Sequence, residues 1–163
     1  MTLGAILTEA ANYRSRFVTV TGGEPLAQKG CCELLVLLAD QGYDVSLETS
    51  GAIDISKVDS RVTKVMDLKT PDSGEESRNL YSNLLYLGAN DQVKFVIGND
   101  KDYRWAVAVL EKHGLTDRCE VLFSPSMEKQ NPTKLADMIL KDRLPVRFQM
   151  QLHKILWGDQ PGK

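Results

Sequence analysis

The stretch 17–49, FVTVTGGEPLAQKGCCELLVLLADQGYDVSLET, decides the fold. Phe17 to Thr21 is rich in β-branched and aromatic residues and predicts a strand. Gly22, Gly23 and Pro25 then punctuate the chain as a turn. Cys31 to Asp40 is an apolar run of helical length, and Gly42, with its freedom at positive φ, predicts a C-cap just beyond it. Asp44 to Thr49 predicts a second strand. Strand, helix and strand within so short a span form a crossover unit, which joins parallel strands.

The same alternation continues outward. Thr2 to Tyr13 predicts a helix before the first strand. Val62 to Leu68, Gln92 to Ile97, Glu120 to Ser124 and Val146 to Gln151 predict further strands. Between them Glu75 to Leu87, Tyr103 to His113 and Pro132 to Lys141 predict helices, the last with proline near its start. Residues 157–163, WGDQPGK, read as a loose tail. Six short strands separated mostly by helical segments predict an α/β fold with a parallel sheet, either doubly wound or a barrel-like arc. No low-complexity linker and no repeat of fixed period interrupts the chain, so residues 1–163 are expected to form one domain.

Composition narrows the function classes. With 163 residues, 42% hydrophobic and 26% charged, the chain can bury a core. Its net charge of -2 gives no basic field to steer it onto nucleic acid or an anionic membrane. The longest apolar run, Leu34 to Ala39, is far short of the ~20 residues that span a bilayer. The first residues lack the basic start and apolar core of a signal peptide, so the cytoplasm is the expected location. Cys31, Cys32 and Cys119 are an odd set for a disulfide scaffold, and their plainer reading is as small buried hydrophobes.

Polar residues cluster where the strands end. Thr21-Gly22-Gly23-Glu24-Pro25 follows the first strand, Glu48-Thr49-Ser50-Gly51 closes the second, and Asp67-Leu68-Lys69-Thr70-Pro71 closes the third. Ser124-Pro125-Ser126-Met127 ends the fifth, and the sixth runs into Gln149 to Lys154. In parallel α/β folds the C-terminal strand ends share one rim, where sites are built. These residues are therefore expected to line a common crevice. The glycine pair lets backbone approach a ligand closely, and Glu24 could receive a ligand ammonium. The plainer readings are an ordinary turn for Gly22-Gly23, solvated charge for Lys69, and a surface cap for His153. His113 reads as a cation at a helix C-terminus. No phosphate-binding glycine motif or Walker lysine is present.

In order along the chain, VTVTGGEPL, LETSG, DLKTPDSGEES, DQVKFVI, FSPS and QMQLHK resemble the 7-carboxy-7-deazaguanine synthase family of radical S-adenosylmethionine (SAM) enzymes, from about Phe17 to about Trp157. The resemblance implies a partial (β/α) barrel of about six mostly parallel strands. It also implies a radical ring contraction of 6-carboxy-5,6,7,8-tetrahydropterin to 7-carboxy-7-deazaguanine with loss of ammonia, in the route to queuosine. SAM, a 4Fe-4S cluster and Mg²⁺ would be the cofactors, and a homodimer the assembly. Gly22, Gly23 and Glu24 would then hold the methionyl part of SAM, with Glu48 and Ser50 near its ribose and methionine. Asp67, Leu68 and Lys69 would form a SAM-contacting strand end, where other members carry Ser-Pro-Lys. Ser124, Pro125, Ser126 and Met127 would pack on the adenine side. Thr21 and His153 would meet the pterin.

One element of that family is not seen. A radical-SAM cluster is held by three cysteines spaced C-x₃-C-x₂-C or nearly so, and neither the Cys31-Cys32 pair nor Cys119 has that spacing. In the family that loop and the ligand linked to Mg²⁺ follow a strand upstream of the opening helix. The expectation is a chain that begins after that strand and cannot cleave SAM alone. Two other readings stay open: a different small radical-SAM activating enzyme, and a non-catalytic nucleoside-binding remnant.

Overall fold

The structure, a computed structural model, describes residues 1–127, 129–158 and 160, the side chain of His153 excepted. It contains a six-stranded sheet in the order β1-β2-β3-β4-β5-β6. The strands are β1 (Phe17–Val20), β2 (Asp44–Thr49), β3 (Thr63–Asp67), β4 (Gln92–Ile97), β5 (Glu120–Pro125) and β6 (Arg147–Phe148). Every neighbouring pair is parallel. The helices are α1 (Leu3–Asn12), α2 (Cys31–Asp40), α3 (Asp100–His113), α4 (Pro132–Asp142) and α5 (Leu152–Trp157).

A parallel sheet whose spatial order equals its chain order needs crossovers of one hand, and these put every connection on the same face. The packing shows it. Cys31, Leu35 and Leu38 of α2 pack on Val45 and Leu47, with Leu7 and Ala10 of α1 beside Val18 and Val20. Tyr103, Ala106, Val109 and Leu110 of α3 and Leu135 and Ile139 of α4 pack on Met66, Val93, Phe95, Val121 and Phe123. The sheet is open, with β1 and β6 at its edges. Of the two arrangements the sequence allowed, this is the barrel-like arc.

The strands alternate accordingly. Val93, Phe95 and Ile97 are fully buried against the helices. Gln92, Lys94 and Val96 are partly exposed on the other face. There the register aligns Thr19 with Ser46, Ser46 with Thr63, Glu48 with Val65, and Asp67 with Lys94. Thr19 and Ser46 share a hydroxyl hydrogen bond of 2.9 Å across the strands. Strands covered on both faces read as unbroken apolar runs; this half-polar pattern marks a face left for something other than packing.

Local chemistry sets the helix ends. Asn99 caps α3 by accepting the backbone N–H of Lys101 and Asp102, and Asn131 caps α4 by accepting that of Lys134. Two predicted elements differ. The segment expected to be helical over 75–87 forms one three-residue 3₁₀ turn, Glu76–Arg78, and one six-residue 3₁₀ stretch, Tyr81–Tyr86, instead. Asn79 and Asn83 direct their amides into other loops, Asn79 to both backbone groups of Lys69 and Asn83 to Gly51, Ile53 and Ile55. Those bonds offer the backbone an alternative to a helix ladder. The last strand shortens to Arg147–Phe148, and Leu152–Trp157 turns helical.

At the opposite end of the strands, Lys64 and Asp91 form a buried ion pair of 3.1 Å. Asp91 also accepts the N–H of Lys64 and of Gly88, each at 2.8 Å. A buried carboxylate needs such donors.

Candidate active site

The loop after β1 is built on two glycines at positive φ, Gly22 at 105° and Gly23 at 56°. A side chain there would be strained, so the path of the loop depends on their absence of Cβ. Glu24 then fastens it to β2. Its carboxylate accepts the N–H of Leu26, the Thr49 hydroxyl at 2.9 and 3.0 Å, the Ser50 N–H at 2.8 Å, and the Ser50 hydroxyl. Thr49, almost fully buried, in turn accepts the N–H of Gly51. The carboxylate expected to receive a ligand ammonium is thus occupied by protein donors, and its work in this structure is to pin the glycine loop to the end of β2.

Asp67 and Lys69 sit at the end of β3. Lys69 Nζ lies 2.8 Å from Asp67 Oδ2. Asn79 holds the Lys69 backbone from both sides, accepting its N–H and donating to its carbonyl, each at 2.9 Å. Asp67 Oδ1 is buried and has no donor among the described residues. Buried polar atoms are nearly always partnered, so an unpartnered one at a strand end points to an unseen donor. Next along the sheet, Lys94 approaches Glu48 at 3.9 Å.

These residues share two adjoining clefts. The larger, about 410 Å³, is lined by Gly23, Glu24, Ser50 and Lys69, with the Glu75–Arg78 ion pair at 2.9 Å on its wall. The smaller, about 90 Å³ and so able to take only an edge of a small organic ligand, is lined by Thr21, Gly23, Glu48, Ser50, Asp67, Lys69 and Lys94. Gly23, Ser50 and Lys69 belong to both. The larger is of a size that takes a small organic ligand. Carboxylates, ammonium groups, hydroxyls and backbone amides along its walls suit a ligand that is itself zwitterionic.

Other candidates stand elsewhere. Gly22 lines a separate groove with Met1, Leu3 and Ile6. Leu68 has its side chain fully buried in the helix-side core, so only its backbone is available to a ligand. Ser124 and Pro125 are buried, and Ser126 and the exposed Met127 continue past β5; none of the four lines either cleft. His153 falls in α5, and its side chain lies outside the described residues. Thr49 stands with the strand-end residues expected at the crevice, whereas Lys94 lies outside those strand-end motifs. Lys94 had a signal: a charged residue at the centre of a strand whose alternate residues are Val93, Phe95 and Ile97.

The cysteines fall in two separate parts of the fold, with Cys31 and Cys32 at the start of α2 and Cys119 before β5. Cys31 packs with α2 against β2, while Cys119 belongs to the core beneath α3 and donates to the carbonyl of Leu115. Burial pushes the Cys119 thiol up to about 11 and also raises that of Cys31, whose neighbours Cys32 and Glu24 add to the rise. Among the described residues no group of three histidine, cysteine or acidic side chains is placed to hold a metal ion.

Comparison with known proteins places the chain. No protein-family model matches it. The 7-carboxy-7-deazaguanine synthase of Chlorobaculum tepidum is 38% identical over 162 residues, covering 97% of this chain and 73% of that protein. The synthase of Koribacter versatilis is 36% identical over 154 residues, covering 86% of this chain and 68% of its own length. Among solved structures, QueE from Escherichia coli superposes with a TM-score of 0.68 at 19% identity, over 93% of this chain and 64% of QueE. SuiB from Streptococcus suis, solved bound to S-adenosylmethionine, superposes with a TM-score of 0.62 at 14% identity, over 90% of this chain and 40% of SuiB. The two structures share the fold; the sequence relatives, over nearly the whole length, show that the chain belongs to the 7-carboxy-7-deazaguanine synthase family.

Proposed function

We propose that the protein binds SAM and a carboxylated reduced pterin in the two adjoining clefts, as a member of a family whose reaction is the radical ring contraction of 6-carboxy-5,6,7,8-tetrahydropterin to 7-carboxy-7-deazaguanine. The observation that carries this is the convergence of Gly23, Ser50 and Lys69 on both clefts, at strand ends separated widely along the chain. Shared residues let two ligands meet edge to edge, which a bimolecular hydrogen abstraction requires. Lys69, fixed through its backbone by Asn79, offers an ammonium to the methionyl carboxylate. Gly23 offers its backbone carbonyl to the amino end, and Ser50 and Glu48 offer oxygen partners to the ribose diol. Thr21, in the smaller cleft, faces the pterin. As such an enzyme the protein works as a homodimer in the cytoplasm, on a small molecule and not on nucleic acid or a membrane.

The test is binding. The purified chain should take up S-adenosylhomocysteine and 6-carboxypterin saturably, each with a Kd tighter than about 1 mM. Calorimetry showing neither ligand bound at millimolar concentration would end this reading.

The cysteines of this chain, Cys31, Cys32 and Cys119, lack the C-x₃-C-x₂-C spacing by which one loop wraps a 4Fe-4S cluster. We therefore infer that the chain, reconstituted alone with iron, sulfide and a strong reductant, yields neither stoichiometric cluster absorbance nor 5′-deoxyadenosine. Appearance of both would overturn that inference while leaving the binding clefts intact.

A further inference from the structure

We propose that Lys94 is the anchor for the carboxylate of the pterin, with Asp67 beside it accepting the ring N–H next to that carboxylate; the inference rests on the function proposed above.

Lys94 stands in the middle of the sheet, between β3 and β5. Its strand neighbours Phe95 and Val93 are fully buried against the helices, so its own side chain belongs to the opposite face. That side chain keeps only 19% of its exposure and lines the smaller cleft. A lysine normally reaches for water, and an ammonium withdrawn from it needs close partners. Here the ion pair with Glu48 is 3.9 Å long, beyond hydrogen-bonding distance. Lys69, the other ammonium in the cleft, differs: it is held at 2.8 Å by Asp67. The cleft thus holds one lysine already engaged and one only loosely paired.

The second observation is on the adjacent strand. Asp67 is the register partner of Lys94. Its Oδ2 is taken by Lys69, while its Oδ1 is buried without a donor among the described residues. A loosely paired ammonium and an unpartnered carboxylate oxygen side by side call for one ligand with an anionic group next to an N–H. In 6-carboxy-5,6,7,8-tetrahydropterin the carboxylate on C6 adjoins the N5–H, which supplies that pairing. A neutral pterin would leave Lys94 unsatisfied, so the same residue would discriminate for the acid.

The experiment uses the purified chain and two fluorescent probes, 6-carboxypterin and pterin, which lacks the carboxylate, with S-adenosylhomocysteine as a third ligand. Both probes are oxidised and carry no N5–H, so they read the Lys94 contact alone. The Asp67 contact is read by calorimetry with 6-carboxy-5,6,7,8-tetrahydropterin under anaerobic conditions, which should bind more tightly than 6-carboxypterin and lose that advantage in Asp67→Asn. Lys94→Met keeps the stem and removes the charge; Lys94→Arg keeps the charge. The expected result is a loss of about tenfold or more in 6-carboxypterin affinity for Lys94→Met. Lys94→Arg should retain most of the affinity. S-adenosylhomocysteine binding should be unchanged in both variants, and pterin should bind Lys94→Met as tightly as the unmutated chain or more so, narrowing the preference for the acid. Undiminished 6-carboxypterin binding by Lys94→Met, in a protein that binds all the probes before mutation, would overturn the proposal and leave the assigned function standing. Equal loss of all three ligands would overturn it too, by showing a structural role. If the unmutated chain binds neither pterin acid nor S-adenosylhomocysteine, the proposed function falls, and this inference with it.

Discussion

Replacing Asp91 by alanine lowers the unfolding free energy by about 3–5 kcal/mol, the range for removing one member of a buried ion pair. Lys64 and Asp91 are 7% and 5% exposed. In the variant the Lys64 ammonium, 3.1 Å from Asp91 in the folded protein, is left in the interior with the Val62 carbonyl at 3.5 Å as its remaining acceptor. The N–H groups of Lys64 and Gly88 lose their acceptor as well. Lys64→Met is the informative contrast. It removes the charge that needs a partner, while Asp91 keeps both backbone donors, so it should cost clearly less. Urea unfolding followed by tryptophan fluorescence measures both. A loss below about 1 kcal/mol for Asp91→Ala, typical of an exposed pair, would show that water reaches Lys64. The pair lies at the strand ends away from the clefts, so ligand affinity, scaled to the folded fraction, should not change.

That pair also shows where reading the chain stops. The bounds of α2, β2 and β4 follow from local patterns: an apolar run before Gly42, and strict alternation over Gln92–Ile97. The crossover order follows too, because strand and helix alternate. What escapes is set by partners distant in the chain. Lys64 lies in the alternation of β3 at a position that should be apolar, and only the fold brings it to Asp91, 27 residues on. The stretch 75–87 has helical composition, yet Asn83 spends its amide on Gly51 and Ile53, about thirty residues back. At the site, Gly22-Gly23-Glu24 is legible as a ligand loop from its glycines alone. The occupant of the Glu24 carboxylate is not, because Thr49 and Ser50 meet it only once β1 and β2 are paired in register. Residues on one strand end, such as Asp67 and Lys69, were legible as a set; Lys94 was hidden by sitting mid-strand, away from the loops where sites are sought.

The second large effect is expected at Glu24. Glu24→Ala should weaken S-adenosylhomocysteine binding by on the order of 100-fold, the loss of more than one charge-assisted hydrogen bond's worth of organisation. No contact between Glu24 and the ligand is required. The carboxylate gathers donors from Leu26, Thr49 and Ser50, so its removal uncouples the glycine loop from β2 and frees the Ser50 hydroxyl and the Gly23 backbone that both clefts share. A loop with two positive-φ glycines has many alternatives once released, and the ligand must then order it. Glu24→Gln separates this from direct charge recognition. Its amide can still accept from Thr49 and Ser50 through one oxygen but presents an N–H₂ where the carboxylate accepted two Ser50 donors, giving an intermediate loss. Thr49→Val tests the same coupling from the far side, keeping the volume and removing the donor to Glu24 and the acceptor for Gly51. It should weaken binding in the same direction although Glu24 is untouched. If Thr49→Val binds as the unmutated chain does while Glu24→Ala and Glu24→Gln lose affinity equally, the carboxylate meets the ligand directly and the pinning role is wrong.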